Sequence, residues 1–405
     1  MALNPDKRLL LIIPDGSINH RMGGGQRSAI LFSALKSLGP VDVVVLGEGT
    51  GTGPQEFFPG AASFQWAPSS RFSVIKKKGL SHLIYNLRRF LFVPALYAPQ
   101  ASVTEALDKL VTPAHRLIAC RYALTYCATG LTKTPGRDVF VDIDDRDDQT
   151  FQSTATAVLG TGVLGCIFRK YVVPSVLRQL YRRLPGTSFL WYAKAEDDLN
   201  LPGVGSAVLR NVPFNTDIPA GAPPPSARQD VVFVGSHAHR PNQDGVRWFL
   251  RECWPTLHAR HPEARFRIVG LGAWQQLQAE FPDTPGVEYV GTIDDIATAY
   301  FDARLVVSPL FEGGGSKIKV IEACAFGRPI VVSRHSAQGF GDAIAAALPQ
   351  SDDAAGFIDL CTQYLADPDA ADRLGQHLQD LQRAHFSRAA AEAQIAADIR
   401  SVIGS

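Results

Sequence analysis

Short runs of β-branched and aliphatic residues alternate along this chain with longer stretches of helical periodicity. That alternation predicts successive βα units and parallel sheets. The first run, Arg8 to Pro14, is continuously apolar and stops at Pro14-Asp15-Gly16. A loop ending in Gly23-Gly24-Gly25 then leads into a helix with Ile30, Leu31, Ala34, Leu35 and Leu38 on its apolar positions, closed by Gly39-Pro40. Val41 to Leu46 is the next strand, and others are predicted at Leu117 to Cys120, Asp138 to Ile143, Ser188 to Tyr192 and Ala207 to Leu209. Gly49 to Ser70, rich in Gly, Pro and Ser, reads as loop.

The proline-rich stretch Asp217 to Gln229 has no apolar period and reads as a linker. Beyond it the alternation resumes, with strands at Val231 to Val234, Arg265 to Val269, Val287 to Val290, Leu305 to Val307 and Ile330 to Val332. After the first of these, one amphipathic helix carries Val246, Phe249, Leu250, Cys253, Trp254 and Leu257 on a single face. Helices over Asp352 to Ala366, Asp369 to Leu381 and Ser387 to Ile403 finish the chain. At 405 residues it exceeds a single core, so two domains are expected.

Composition narrows the class. With 46% apolar and 20% charged residues the chain reads as globular, and a net charge of +1 gives no global field for nucleic acid. Six cysteines without C-x-x-C pairing suit buried free thiols in a reducing cytoplasm and imply no zinc. The apolar run Leu9 to Ile13 is too short for a signal peptide, and no segment reaches the length of a spanning helix. Two basic amphipathic segments, Arg71 to Tyr97 and Ile167 to Leu184, fit either an anionic bilayer surface or a core-packed helix with solvated cations.

The densest chemistry lies between Leu305 and Ser333, which reads as strand, glycine loop, helix, turn and strand. Gly313, Gly314 and Gly315 allow close approach of a ligand, and Ser316 is an N-cap candidate. An anion there would meet helix N-terminal amides and the ammonium groups of Lys317 and Lys319, so phosphate fits. Glu322, seven residues past Gly315, needs a partner that a ribose diol would supply. Gly235, Ser236 and Arg240 fall at the carboxyl end of a strand, where open parallel sheets bind ligands. An acidic cluster, Asp142, Asp144, Asp145, Asp147 and Asp148, follows another strand. Asp142-x-Asp144 formally matches a metal-binding D-x-D, but Asp144 or Asp145 could instead contact acceptor hydroxyls or act as a base.

The whole stretch from Leu305 to Ser333, LVVSPLFEGGGSKIKVIEACAFGRPIVVS, resembles the donor-sugar motif of GT-B glycosyltransferases, in particular the large retaining family 4, or group 1, type. The resemblance implies an α/β chain of two Rossmann-like domains whose parallel sheets face an interdomain cleft. It implies an acceptor-binding domain at 1–214, a linker at 215–229, a nucleotide-sugar domain at 230–386, and a terminal helix at 387–405 that crosses back. The implied donor-binding residues are Gly24 and Gly25, Gly235 and Ser236, Gly270 and Thr292 near the nucleobase, Glu312, Gly314, Gly315, Ser316 and Lys317, together with Lys319 and Glu322. Glu312 stands ten positions before Glu322, where the family's fuller form is E-x7-E. Lys319, Arg240, Asp144 and Asp145 are the implied catalytic groups, with no metal or other cofactor required.

The expected activity is transfer of a sugar from a UDP- or GDP-linked donor to a saccharide or lipid-linked acceptor, in cytoplasmic polysaccharide or glycolipid assembly. A nucleotide-sugar 2-epimerase of the same fold would need cleft histidines, for which His237, His239 and His335 are the candidates. A non-catalytic nucleotide-sugar-binding protein is the rival outside enzymes.

Overall fold

A computed structural model of the 405-residue chain describes residues 8–18, 23–49, 54–69, 71, 93–144, 146–152, 162–210, 212, 229–313 and 317–403. The chain divides into two compact units, Met1–Asn211 with Arg388–Ser405, and Val212–Ser387. The basic segment at 72–92 and most of the linker lie outside the described residues, as do Asp145, Gly314, Gly315 and Ser316.

In the first unit the strands are β1 (Arg8–Pro14), β2 (Val41–Gly47), β3 (Ser63–Pro68), β4 (His115–Arg121), β5 (Asp138–Asp144), β6 (Phe189–Tyr192) and β7 (Gly205–Val208). They form one parallel sheet in the order β3-β2-β1-β4-β5-β6-β7. The chain builds outward from β1 on one side and then returns to place β4 on the other, so the connections diverge between β1 and β4. The central strands are buried on both faces, which is why they read as unbroken apolar runs.

The stretch expected to be loop supplies β3, whose register pairs Asp42 with Ser63 through Gly47 with Pro68. As an edge strand it buries fully only Ala67, too little to leave a hydrophobic pattern. The three glycines near the start also differ from expectation, since helix α1 (Gly23–Lys36) begins on them and they form its first turn. The second basic segment is a helix, α2 (Val163–Arg183). Of the six free cysteines, Cys166 on this helix is exposed and the others are buried. The last helix, α7 (Arg388–Ile403), belongs to the first unit. Trp191 Nε1 donates to Asp398 Oδ2 at 2.8 Å, and Gln394 Nε2 to the Val208 carbonyl at 2.8 Å.

The second unit holds β8 (Asp230–Val234), β9 (Arg265–Val269), β10 (Val287–Gly291), β11 (Leu305–Ser308) and β12 (Ile330–Val332). These too are parallel, in the order β10-β9-β8-β11-β12. One face of the sheet packs Val231 and Phe233 with Val246 and Phe249, while the other packs Val232 and Val234 with Val320 and Ile321.

The single amphipathic helix expected after β8 is divided into α3 (Arg240–Trp248), a π-helical turn (Phe249–Cys253) and α4 (Trp254–Arg260). Pro255 has no N–H to donate back into the helix, so the ladder is interrupted just before it. All six predicted apolar positions are nonetheless buried at 1% exposure or less. Two later helices complete the set needed here: α5 (Ile296–Asp302), whose N-cap Asp295 accepts from the Ala297 amide, and α6 (Ile318–Ala325). Among the described residues no helix is long and apolar enough to cross a membrane.

Candidate functional site

Strands β8 and β11 are neighbours, but the helices that follow them pack on opposite faces of the sheet. The backbones therefore diverge at the carboxyl ends of these two strands and leave a crevice. A pocket of about 260 Å³ opens there. Val234, Gly235 and Ser236 line it from the end of β8, with His239 and Asn242 from the start of α3. Leu310, Glu312 and Gly313 line it beyond β11, and Lys317, Ile318, Lys319 and Glu322 at the start of α6.

Two glycines are required by close approach. A Cβ on Gly235 would stand 2.7 Å from Asn242 Nδ2 and 3.0 Å from Lys319 Nζ. Gly313 has φ +112°, and a Cβ there would meet Pro241 Cγ at 2.9 Å. The Gly313 carbonyl is also within 3.0 Å of His335 Nε2, which ties this loop to the segment after β12.

The charged groups of the pocket are held by neutral ones. Lys319 Nζ donates to Asn242 Oδ1 at 2.6 Å and lies 4.2 Å over the Phe233 ring. Burial pulls its ammonium down to about 7, against the opposing pull of Glu322. Glu322 Oε2 accepts from the Tyr300 hydroxyl at 2.8 Å, and burial raises its carboxyl despite that bond and the nearby lysine. His239 is lowered by burial and then by Lys319. Desolvation here disfavours the charged forms of all three groups, and an anion beside Lys319 would favour its ammonium by supplying a counter-charge.

Of the residues singled out from sequence, Gly235, Ser236, Glu312, Lys317, Lys319 and Glu322 come together around this pocket. Gly270 stands behind it, packed against the Gly235 carbonyl, and Thr292 is an exposed residue after β10. Arg240 is not among the residues that line the pocket. It is the first residue of α3, 68% exposed, and its guanidinium turns along the helix to Asp244 at 3.2 Å rather than into the pocket. Sequence reasoning missed Asn242 and Tyr300 as partners of the charged pair. The signal available was a polar residue in the first turn after a strand end, and a tyrosine on a helix's apolar face.

Gly24, Gly25 and Asp144 belong to the first unit, at the carboxyl edge of its sheet. There Asp142, fully buried, accepts from Arg27 Nε at 2.8 Å and from Arg121 Nη1 at 2.6 Å. The D-x-D carboxylate is thus committed to two guanidiniums, and among the described residues no group of three or more His, Cys, Asp or Glu is placed for a metal. Burial opposes the Arg27 charge, but Asp142 and Asp144 more than restore it and hold the group above its usual range. Asp144, with φ +60°, accepts from Arg121 Nη2 at 3.0 Å. Tyr122, with φ +67°, brings its hydroxyl over Gly24, where a Cβ would lie 2.7 Å away. Two side-chain-bearing residues with positive φ, at the carboxyl ends of the neighbouring strands β4 and β5, mark backbone strain, which concentrates at functional sites.

Residues 228–367, which include the whole pocket, match the family described as Glycosyl transferases group 1. The matched stretch lies within the second unit. A search of curated proteins finds no match to the sequence. Among solved structures, sucrose-phosphate synthase from Thermosynechococcus elongatus superposes with TM-score 0.65 at 14% identity, over 98% of this chain and 100% of that one. HepE of Anabaena, solved with UDP and glucose, gives 0.60 at 12% identity, over 97% and 99% of the two chains. TarM of S. aureus, solved with Fondaparinux, alpha-GlcNAc-glycerol and UDP, gives 0.61 at 11% identity, over 98% and 100%. The fold of the chain is GT-B, the α/β architecture of two Rossmann-like units expected from the motif.

Proposed function

We propose that the chain moves a sugar from a nucleoside diphosphate sugar to an acceptor hydroxyl, with the donor nucleotide bound in the pocket of the second unit. The observation that carries this reading is the pocket itself. Lys317, Lys319 and Glu322 share the start of one helix at the point where two parallel strands diverge. The diphosphate gains negative charge as the glycosidic bond breaks, and Lys319, Lys317 and the α6 N-terminal amides offset it. Glu322 accepts from the ribose hydroxyls. Retention of configuration without a protein nucleophile, independence of metal, and Asp144 as the contact to the acceptor hydroxyl complete the reading. UDP and GDP are the two donor classes to separate.

A lipid-linked acceptor on the inner face of the cytoplasmic membrane is favoured by α2. Its exposed stripe carries Ile167, Tyr171 and Tyr181 together with Lys170, Arg178 and Arg182, and the helix has no acidic residue. Aromatic and aliphatic groups interleaved with cations suit an anionic bilayer surface. Flotation with anionic and with neutral vesicles tests this, and equal recovery in both would remove it.

Incubation of the protein with UDP- and GDP-linked sugars tests the main reading. Slow release of the free diphosphate, lost in Glu322→Ala, is the expected result. Inversion at C2 of the sugar would replace a transferase with an epimerase. Binding without turnover, even with saccharide acceptors supplied, would leave a nucleotide-sugar-binding module.

A further inference from the structure

A lysine and a glutamate three residues apart on a helix are neighbours on its surface, and their default is to pair with each other. Lys319 and Glu322 have that spacing, yet among the described residues each bonds to a different, uncharged group. Asn242, 5% exposed, sits in the first turn of α3. Its Nδ2 donates to the Ser236 carbonyl at 2.8 Å, which fixes the amide's orientation and turns Oδ1 toward Lys319. Tyr300, fully buried on α5, is stacked on Phe326 with ring centroids 4.9 Å apart and planes 11° apart, and its hydroxyl reaches one oxygen of Glu322.

The consequence is chemical. A lysine closed onto Glu322 would meet a diphosphate with its charge already matched, and the carboxylate would have fewer lone pairs for a ribose diol. With Asn242 holding the ammonium and Tyr300 holding one carboxylate oxygen, both charges stay available, and the second glutamate oxygen stays open to a ligand.

We propose that Asn242 and Tyr300 are positioning residues that keep Lys319 and Glu322 from pairing, and so assign the lysine to the diphosphate and the carboxylate to the ribose. This rests on the nucleotide reading of the pocket. Asn242 lies on α3 and Tyr300 on α5, so the two restraints come from separate elements and can be removed separately.

The test is calorimetric titration of the full chain with UDP and GDP, then with the matching monophosphate and 2′-deoxy diphosphate of whichever binds. Asn242→Ala should shrink the preference for diphosphate over monophosphate by roughly tenfold or more, the scale of one charge-assisted hydrogen bond. Tyr300→Phe should instead shrink the preference for the ribo- over the 2′-deoxy form. Adding Asn242→Ala to Lys319→Ala should cost nothing further. A variant that merely loosened the fold would weaken all ligands alike and leave both ratios intact, and that result overturns the proposal; thermal melting identifies such a variant. If the wild type binds neither UDP nor GDP, the nucleotide reading falls and this inference with it. If it binds one of them and both variants keep the wild-type ratios, the positioning inference alone fails.

Discussion

The two units carry the same parallel topology around their first strands and satisfy charge at the carboxyl edge in opposite ways. In the first unit, two arginines and two aspartates close on one another: Arg27 and Arg121 both bind Asp142, and Arg121 also binds Asp144. In the second, a lysine and a glutamate are each held by a neutral partner, Asn242 and Tyr300. A buried cluster whose charges cancel is a structural clamp that loses much when one member goes. A cation and an anion held apart by neutral groups contribute little to folding and much to ligand recognition. At the first unit's edge Asp144 is 14% exposed, while Arg121 and Asp142 are fully covered.

The largest effect that sharpens this contrast is on stability. Asp142→Ala should lower the free energy of unfolding by about 3–5 kcal/mol, since it strands two buried guanidiniums, and urea denaturation measures it. Lys319→Ala should do the reverse in kind. Turnover should fall with a barrier increase of roughly 3 kcal/mol, while urea stability stays at or above wild type because a poorly solvated charge has been removed. A large stability loss in that variant would break the comparison.

The pH dependence follows from Lys319 lying at about 7 rather than its ordinary 10.5. Between those values the free pocket holds fewer protons than the diphosphate complex, in which the ammonium is favoured. Affinity for the nucleotide should therefore fall as pH rises through that window, by at most about tenfold per unit, and fall less in Lys319→Arg. Over the same window the unfolded chain holds the extra proton, so stability should rise with pH. Glu322 and His239 are the titratable groups coupled to Lys319 there, and titrations in Glu322→Gln separate their share. The smallest effect should come from Arg240→Ala, where an exposed arginine pairs with Asp244 on its own helix. Nucleotide affinity should stay within about twofold of wild type.

Much of this molecule was legible in its residues. The strands at Arg8–Pro14, Arg265–Val269 and Ile330–Val332 fall where the apolar runs are, because strands covered on both faces admit nothing else. The edge strand Ser63–Pro68 was not legible, since a strand with one neighbour and partial exposure has little pattern to show. Gly313, Lys319 and Glu322, singled out from the sequence, line one pocket. The direction of Arg240 was not legible, since the first turn of α3 sets it.

Local pattern by itself determined most of the strands and helices, the division into two α/β halves, and which helix carries the charges of the pocket. What each charge bonds to was decided by the tertiary structure. The reason is distance along the chain. Asn242 lies 77 residues from Lys319, Tyr300 22 from Glu322, and Arg27 115 from Asp142, and no periodicity reports such pairings. They exist because parallel strands bring their carboxyl ends to one edge, and there desolvation favours the charged groups that find a partner.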